Sequence, residues 1–335
     1  MLNVFLIYIV ISFLVFFVVA KISNLLNFVD RPSKRKIHLK KTPFTGGIAI
    51  SIMFILSDLI FHTINHKLQF IVSISFLISL VGLMDDKLDL NVGGKLALLI
   101  IPITYLILNE NLYLITLGNY NYFNLNLGFF GIPFTLLAIL LLINAFNYFD
   151  GMDGTLSFSL ISILFIFYFL IDDDILRFYL IILFIPLAIF LFFNFNIFNL
   201  PKIFLGDNGS LMLGFIVSFC LIYIANEKLV HPIILAWSIV IFVYEFLSIN
   251  LIRLKKKKNI FQGNQDHLHH ILFYKTKSVL LTNLIIVMIN ISFFTIGYLT
   301  FFISPIISLL LFIILFFYYL FLRIKYSKQP MKIKL

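Results

Sequence analysis

"LLAILLLINAFNYFDGMDG", Leu136 to Gly154, decides how this chain folds. Its first eight residues are all apolar, and the eleven that follow, Asn144 to Gly154, bring two asparagines, two aspartates and two glycines. A run that changes this sharply marks a helix leaving a bilayer, because hydrocarbon satisfies neither amides nor carboxylates. The same alternation recurs along the chain. Of 335 residues 61% are hydrophobic and only 12% charged, and the apolar residues fall in blocks of roughly 20, enough to cross a core of about 30 Å.

The pattern predicts an all-α polytopic integral membrane protein of about eleven transmembrane helices. They are expected at residues 2–20, 46–63, 69–84, 96–109, 129–146, 155–171, 177–195, 209–225, 230–252, 278–300 and 304–322. The first block lacks a basic leader and a small-residue cleavage pattern, so it reads as a span and not as a signal peptide. Alternation around "LYLITLGNYNYFNLNLG", Leu112 to Gly128, predicts a small β-hairpin on the outer side. No internal repeat or linker is visible. Residues 1–335 therefore read as one membrane domain, with 253–277 as its long cytoplasmic loop. The single cysteine, Cys220, excludes a disulfide framework.

A net charge of +10 could suggest nucleic acid, but the distribution of the charge argues against it. With these spans, 22 of the 25 Lys and Arg residues fall on one side and only Lys67, Arg177 and Lys228 on the other. The positive-inside rule then puts the N-terminus outside and the C-terminus in the cytoplasm. The basic patches face anionic lipid headgroups and anionic substrates.

Four polar islands are expected on that cytoplasmic side: "GLMDDKLDLNVGGK" from Gly82, "NAFNYFDGMDG" from Asn144, "IFLGDNGS" from Ile203, and "NQDHLHH" from Asn264. Any one of them alone could be a solvated loop; four on one face point to a site. Asp85 and Asp86 are adjacent carboxylates, suited to a general base or a metal clamp. Asn144, Asn147 and Asp150 recur every third residue, which predicts one helical face that Asp153 extends by a turn. Asp207 sits by the start of a helix, where backbone N–H groups favour phosphate. Hard oxygen donors without neighbouring His or Cys indicate Mg²⁺ or Mn²⁺. His267, His269 and His270 are not spaced to bring three imidazoles to one zinc ion on a regular helix. With the lysines from Lys255 to Lys258 they are better read as diphosphate donors.

In order and spacing these motifs, together with "RKIHLKKTPFTGGIAI" (Arg35 to Ile50), resemble the polyprenyl-phosphate N-acetylhexosamine-1-phosphate transferases, the MraY/WecA group of glycosyltransferase family 4. The resemblance implies transfer of a sugar-1-phosphate from a UDP-sugar to undecaprenyl phosphate in the bacterial cytoplasmic membrane, with Mg²⁺, releasing UMP. It implies that Asp85 deprotonates or orients the lipid phosphate, with Asp86 beside it and Lys95 neutralising phosphate charge. It further implies that Asn147 and Asp207 hold Mg²⁺, supported by Asp150. Asn144, Asp153, Phe204 and the three histidines would bind the nucleotide sugar, Phe204 by stacking on uracil.

"HLHH" looks like the WecA/TagO-like branch, which implies that the enzyme starts cell-surface polysaccharides such as O antigens from UDP-GlcNAc. The alternatives are the phospho-MurNAc-pentapeptide transferase and, in another class, a transporter of anionic substrates. Asn264 and Gln265 depart from the Asp-Arg usual in this branch. Glu245, inside the ninth span, is expected either to pair with Arg253 or a neighbouring helix or to serve the substrate. A homodimer is compatible with this reading.

The orientation has a direct test. Cysteines introduced at Asn91 and Ser278 should be shielded from impermeant thiol reagents in intact cells, and one at Asn121 should react. Labelling of the first two from outside would reverse the topology.

Overall fold

A computed structural model describes residues 2–30, 41–61, 65–257 and 267–327. Lys258, Asn264, Gln265, Asp266 and the whole "RKIHLK" stretch lie outside the described residues. The described residues form thirteen α-helices. They are α1 (Leu2–Leu25), α2 (Gly46–Phe61), α3 (His66–Leu88), α4 (Val92–Glu110), α5 (Gly131–Phe149), α6 (Thr155–Leu170) and α7 (Asp174–Asn194), followed by α8 (Gly206–Asn226), α9 (Pro232–Ser238), α10 (Val240–Lys255), α11 (Leu268–Thr276), α12 (Val279–Ile303) and α13 (Pro305–Ser327). Eight of these are long and apolar enough to cross a membrane, and the bent pair α9 and α10 would make a ninth; α2 and α6 are shorter apolar helices. The molecule is an all-α, multi-span membrane protein.

The helix boundaries follow from capping chemistry. Asn65 caps α3 by accepting from Lys67 N at 2.9 Å. Asn91 caps α4 by accepting from Gly94 N at 2.8 Å. Asp173 caps α7 by accepting from Leu176 N at 2.7 Å. Each satisfies one of the amides that a helix start leaves open. α3 stops at Asp89, whose left-handed backbone (φ 52°) turns the chain and returns its N–H to Asp85 O.

Three expectations need correction. The ninth apolar block is not one helix: α9 and α10 meet at 73°, around Ile239 (φ −112°, ψ 15°). The loop 253–277 is not all loop, since α10 reaches Lys255 and α11 occupies Leu268–Thr276. Asp153 does not extend the face of Asn147, because α5 ends at Phe149 and a turn intervenes before α6.

The expected hairpin forms from β3 (Thr116–Asn119) and β4 (Asn124–Asn126), antiparallel with a register shift. A second two-residue pair, β1 (Val29–Asp30) with β2 (Thr42–Pro43), precedes α2 and was not expected from the sequence.

α8 is the central helix. It is buried almost along its length and packs chiefly on α3, α5 and α2. Its neighbours come close because they present glycine. A Cβ on Gly82 of α3 would lie 2.4 Å from Asn208 Cα, and one on Gly47 of α2 would lie 2.1 Å from Gly209 N. The loop before α8 also serves α2: Gly46 N donates to Phe204 O at 2.9 Å and Gly47 N to Leu205 O at 3.0 Å. The starts of α2 and α8 are thereby joined to the end of α3.

Gly82→Ala should therefore push α3 off α8. The overpacking should cost about 1–3 kcal/mol, visible as a lower melting temperature in detergent. An unchanged melt would show that α3 and α8 are not in contact at Gly82.

Candidate functional site

Four polar segments converge where α3 ends and α8 begins. Asp85 and Asp86, in the last turn of α3, face different partners. Asp86 accepts from Asp207 N (3.1 Å), Asn208 N (3.2 Å) and Asn208 Nδ2 (2.8 Å). It is thus the cap of α8, whose own preceding residue, Leu205, offers no side-chain cap. Asp85 instead lies 2.6 Å from Lys95 Nζ and accepts from Leu90 N at 3.1 Å.

Lys95, in the first turn of α4, also reaches Asp207 Oδ2 at 2.7 Å. One ammonium thus bridges carboxylates from two helices. The second Asp207 oxygen accepts from Asn147 Nδ2 at 2.8 Å, and the same amide donates to Ser210 Oγ at 2.9 Å.

Asp150 follows Asn147 at the end of α5. Burial first, then the negative charges of Asp207, Asp86 and Asp153, push its carboxyl well above the usual carboxylate range. Acidic groups therefore outnumber the cations that serve them. Asn144 donates to Leu140 O at 2.7 Å within its own helix.

A second group sits beside this one. Lys202 Nζ is 2.6 Å from Asp153 Oδ2 and 5.3 Å from the centre of the Phe204 ring. Asn283 of α12 donates to Asp153 O at 2.9 Å and accepts from Thr155 Oγ1 at 2.7 Å, holding the turn after α5 in place. Lys202 and Asn208 were missed from the sequence. A lone lysine beside a span looks like an anchor, and an asparagine following an acid looks like a turn residue.

The histidines close the site from the other direction. His269 is fully buried, and its Nε2 lies against Gly151, where a Cβ would sit only 2.1 Å away. The rings of His267 and His269 are parallel, with centres 5.6 Å apart, and His270 is 4.2 Å from His269. His267 Nδ1 and His269 Nε2 have no hydrogen-bond partner among the described residues.

Burial, then Arg253, His270 and Arg323, lower the pKa of His267 to about 3. Burial, then His270, His267 and Arg323, hold His269 well below the usual histidine value. Both rings are neutral at physiological pH, each with one N–H to donate. Glu245 pairs with Arg323 of α13 at 2.9 Å and not with Arg253, whose guanidinium lies 5.5 Å from the Tyr148 ring centre.

The sequence model described as glycosyl transferase family 4 matches residues 68–225, a span holding every residue of the acidic cluster. Similar proteins include two named undecaprenyl-phosphate alpha-N-acetylglucosaminyl 1-phosphate transferase. The one from Escherichia coli O157:H7 is 29% identical over 268 residues, 76% of this chain and 72% of the relative. The one from Yersinia pestis is 28% identical over 266 residues, 76% and 72%. A protein from Bacillus subtilis (strain 168), named probable undecaprenyl-phosphate N-acetylglucosaminyl 1-phosphate transferase, is 29% identical over 270 residues, again 76% and 72%.

The neutral histidines set a pH dependence. The unfolded chain binds protons at His267 as pH falls through about 6.5, while the folded chain does not until about 3. Stability is therefore complete above the unfolded value and is lost as pH drops below it. Between pH 7.5 and 5.5 His267 alone should remove about 1.4 kcal/mol. Melting curves at these two pH values should show a smaller difference for His267→Gln than for the wild type; equal differences would place His267 in water.

Proposed function

Since the chain belongs to glycosyl transferase family 4, in its WecA-like branch, we propose that it transfers N-acetylglucosamine-1-phosphate from UDP-N-acetylglucosamine to undecaprenyl phosphate, releasing UMP. The observation that carries the reading is the acidic junction of α3 and α8, clamped by Lys95 and faced by neutral histidine donors. It joins a cation-seeking half to a half suited to a nucleotide sugar. The active site is cytoplasmic in a bacterial membrane, by the same distribution of basic residues that orients the spans.

The donor set suits a hard divalent cation. Burial first, and then three neighbouring carboxylates, destabilise Asp150 as an anion, and a positive ion would relieve the repulsive part. Among the described residues no three His, Cys, Asp or Glu side chains form a closed cage. Mg²⁺ needs none, since it is held by one or two carboxylates together with substrate phosphates and water. Asn147 and Asp207 would hold it, with Asp150 in support. When bound, it would neutralise the diphosphate oxygens and fix them for in-line attack.

The chain's own groups do the rest. Asp85 orients the lipid phosphate, or takes its last proton, and Lys95 offsets the charge of the two approaching anions. An oxygen of undecaprenyl phosphate attacks the phosphorus that bears the sugar. The bond from that phosphorus to the bridging oxygen breaks, and the electron pair leaves with UMP. Phe204 stacks on uracil, Asp153 and Lys202 hold the nucleoside end, and the N–H groups of the histidines donate to the diphosphate or sugar. Little covalent help is required, because positioning two anions and neutralising their charge accounts for most of such catalysis.

UMP release by purified protein in detergent, with undecaprenyl phosphate and Mg²⁺, tests the reading. Asp207→Ala and Asn147→Ala should fold, insert and lower kcat at least about a hundredfold, near 2.7 kcal/mol. Asp153→Asn should mainly raise KM for the UDP-sugar, as loss of a contact far from the breaking bond does. Near-wild-type turnover in the first two, or activity untouched by EDTA, would reject the acidic junction as the catalytic centre.

A further inference from the structure

Glu245 takes no part in the chemistry above, yet its carboxylate is 1% exposed inside α10. Burying a carboxylate among membrane helices is costly, and it persists only where donors surround it. Three are present. Tyr319 Oη donates to Oε2 at 2.6 Å and Arg323 Nη2 to Oε1 at 2.9 Å. Arg323 Nε lies 2.9 Å from Oε2 and adds an ion-pair contact. The third donor is a backbone amide, Leu268 N, at 2.7 Å from Oε1.

That amide belongs to the first residue of α11, between His267 and His269. His267, which precedes the helix, makes no side-chain cap, so the first turn of α11 takes its cap from another helix. Arg323 and Tyr319 alone would satisfy a structural ion pair. The bond to Leu268 N has a different consequence: it fixes the height and direction at which α11 meets the turn at Gly151, against which His269 packs. α13 is otherwise the least buried of the long helices, and through this carboxylate it bears on the site.

We propose that Glu245, held by Arg323 and Tyr319 of α13, is a positioning residue for the nucleotide sugar: it anchors the first turn of α11 and so sets where His267 and His269 present their N–H groups. The proposal rests on the reading that these histidines bind the UDP-sugar. Glu245 touches no substrate, and its effect passes through α11.

Stability and positioning can be separated. In the reversed pair E245R/R323E the two buried charges still meet, but an arginine at 245 cannot accept from Leu268 N. Glu245→Gln keeps an acceptor for that amide and loses the charge. The full chain in detergent would be compared by melting temperature, hydrogen exchange of the segment 267–276, and KM and kcat for UDP-GlcNAc.

The expected pattern is crossed. E245R/R323E should melt above either single reversal, yet exchange faster in α11 and show KM raised about tenfold or more. Glu245→Gln should melt lower than wild type but keep α11 protected and KM within about threefold. Activity that simply follows melting temperature in both variants overturns the proposal and leaves an ordinary structural pair. If the reversed pair does not insert, Glu245→Gln decides alone: a KM raised about tenfold, with faster exchange in α11, overturns it. Failure of the parent reading looks different, since His269→Ala would then bind UDP-GlcNAc as wild type does whatever Glu245 does to exchange.

Discussion

The acceptance of two α8 amides by Asp86 is the contact on which the rest of the site depends. α8 is the most enclosed helix of the bundle, so water cannot be relied on to satisfy its first N–H groups, and Leu205 has no side chain that can. A carboxylate from α3 does so instead, and the positive end of the helix dipole favours its charge. The end of α3 is then bound to the start of α8. Asp85, one residue earlier, is carried to the same place, as are Asp207 and, by attraction to both, Lys95. Gly47, Gly82 and Gly206 let the backbones approach; Gly206 does so with φ of 75°.

The two halves of the site differ in electrical character for two physical reasons, burial and the supply of counter-charge. Around α8, Asp85 and Asp207 share the Lys95 ammonium, and a divalent ion would add counter-charge there. Around α11, burial first, and then His270 and Arg323, disfavour positive charge on His267 and His269, which are kept as neutral donors. In the proposed reaction a cation would belong to the first wall, and the second would offer its N–H groups to an anionic nucleotide sugar. The contact between His269 and Gly151 keeps the walls together.

Much of this architecture was legible from residue order. Apolar blocks located the helices to within a few residues, and the clustering of acids and amides at block ends identified the segments that meet. Where the reading failed, local pattern had competed with a distant partner. The three-residue spacing suggested that Asp153 continues the α5 face, but Asp150 leaves helical geometry (φ −83°, ψ 56°), and Asp153 turns to Lys202. The ninth block showed no proline or glycine near Ile239 to announce the 73° bend.

The sequence by itself determined that the chain crosses a membrane repeatedly, that its polar residues gather at helix ends, and which residue types are available for chemistry. These follow from the solvent, because a bilayer forbids unpaired polar groups and so sorts them along the chain. Only the tertiary structure decided the division of labour: that Asp86 caps while its neighbour Asp85 meets Lys95, that Lys202 belongs with Asp153 and Phe204, and that Glu245 answers to Arg323 and not to Arg253. Adjacent side chains in a helix point about 100° apart, so which of them meets a given partner depends on how the helices are packed and rotated. That rotation is set by the summed fit of helix surfaces, which no short stretch of sequence contains.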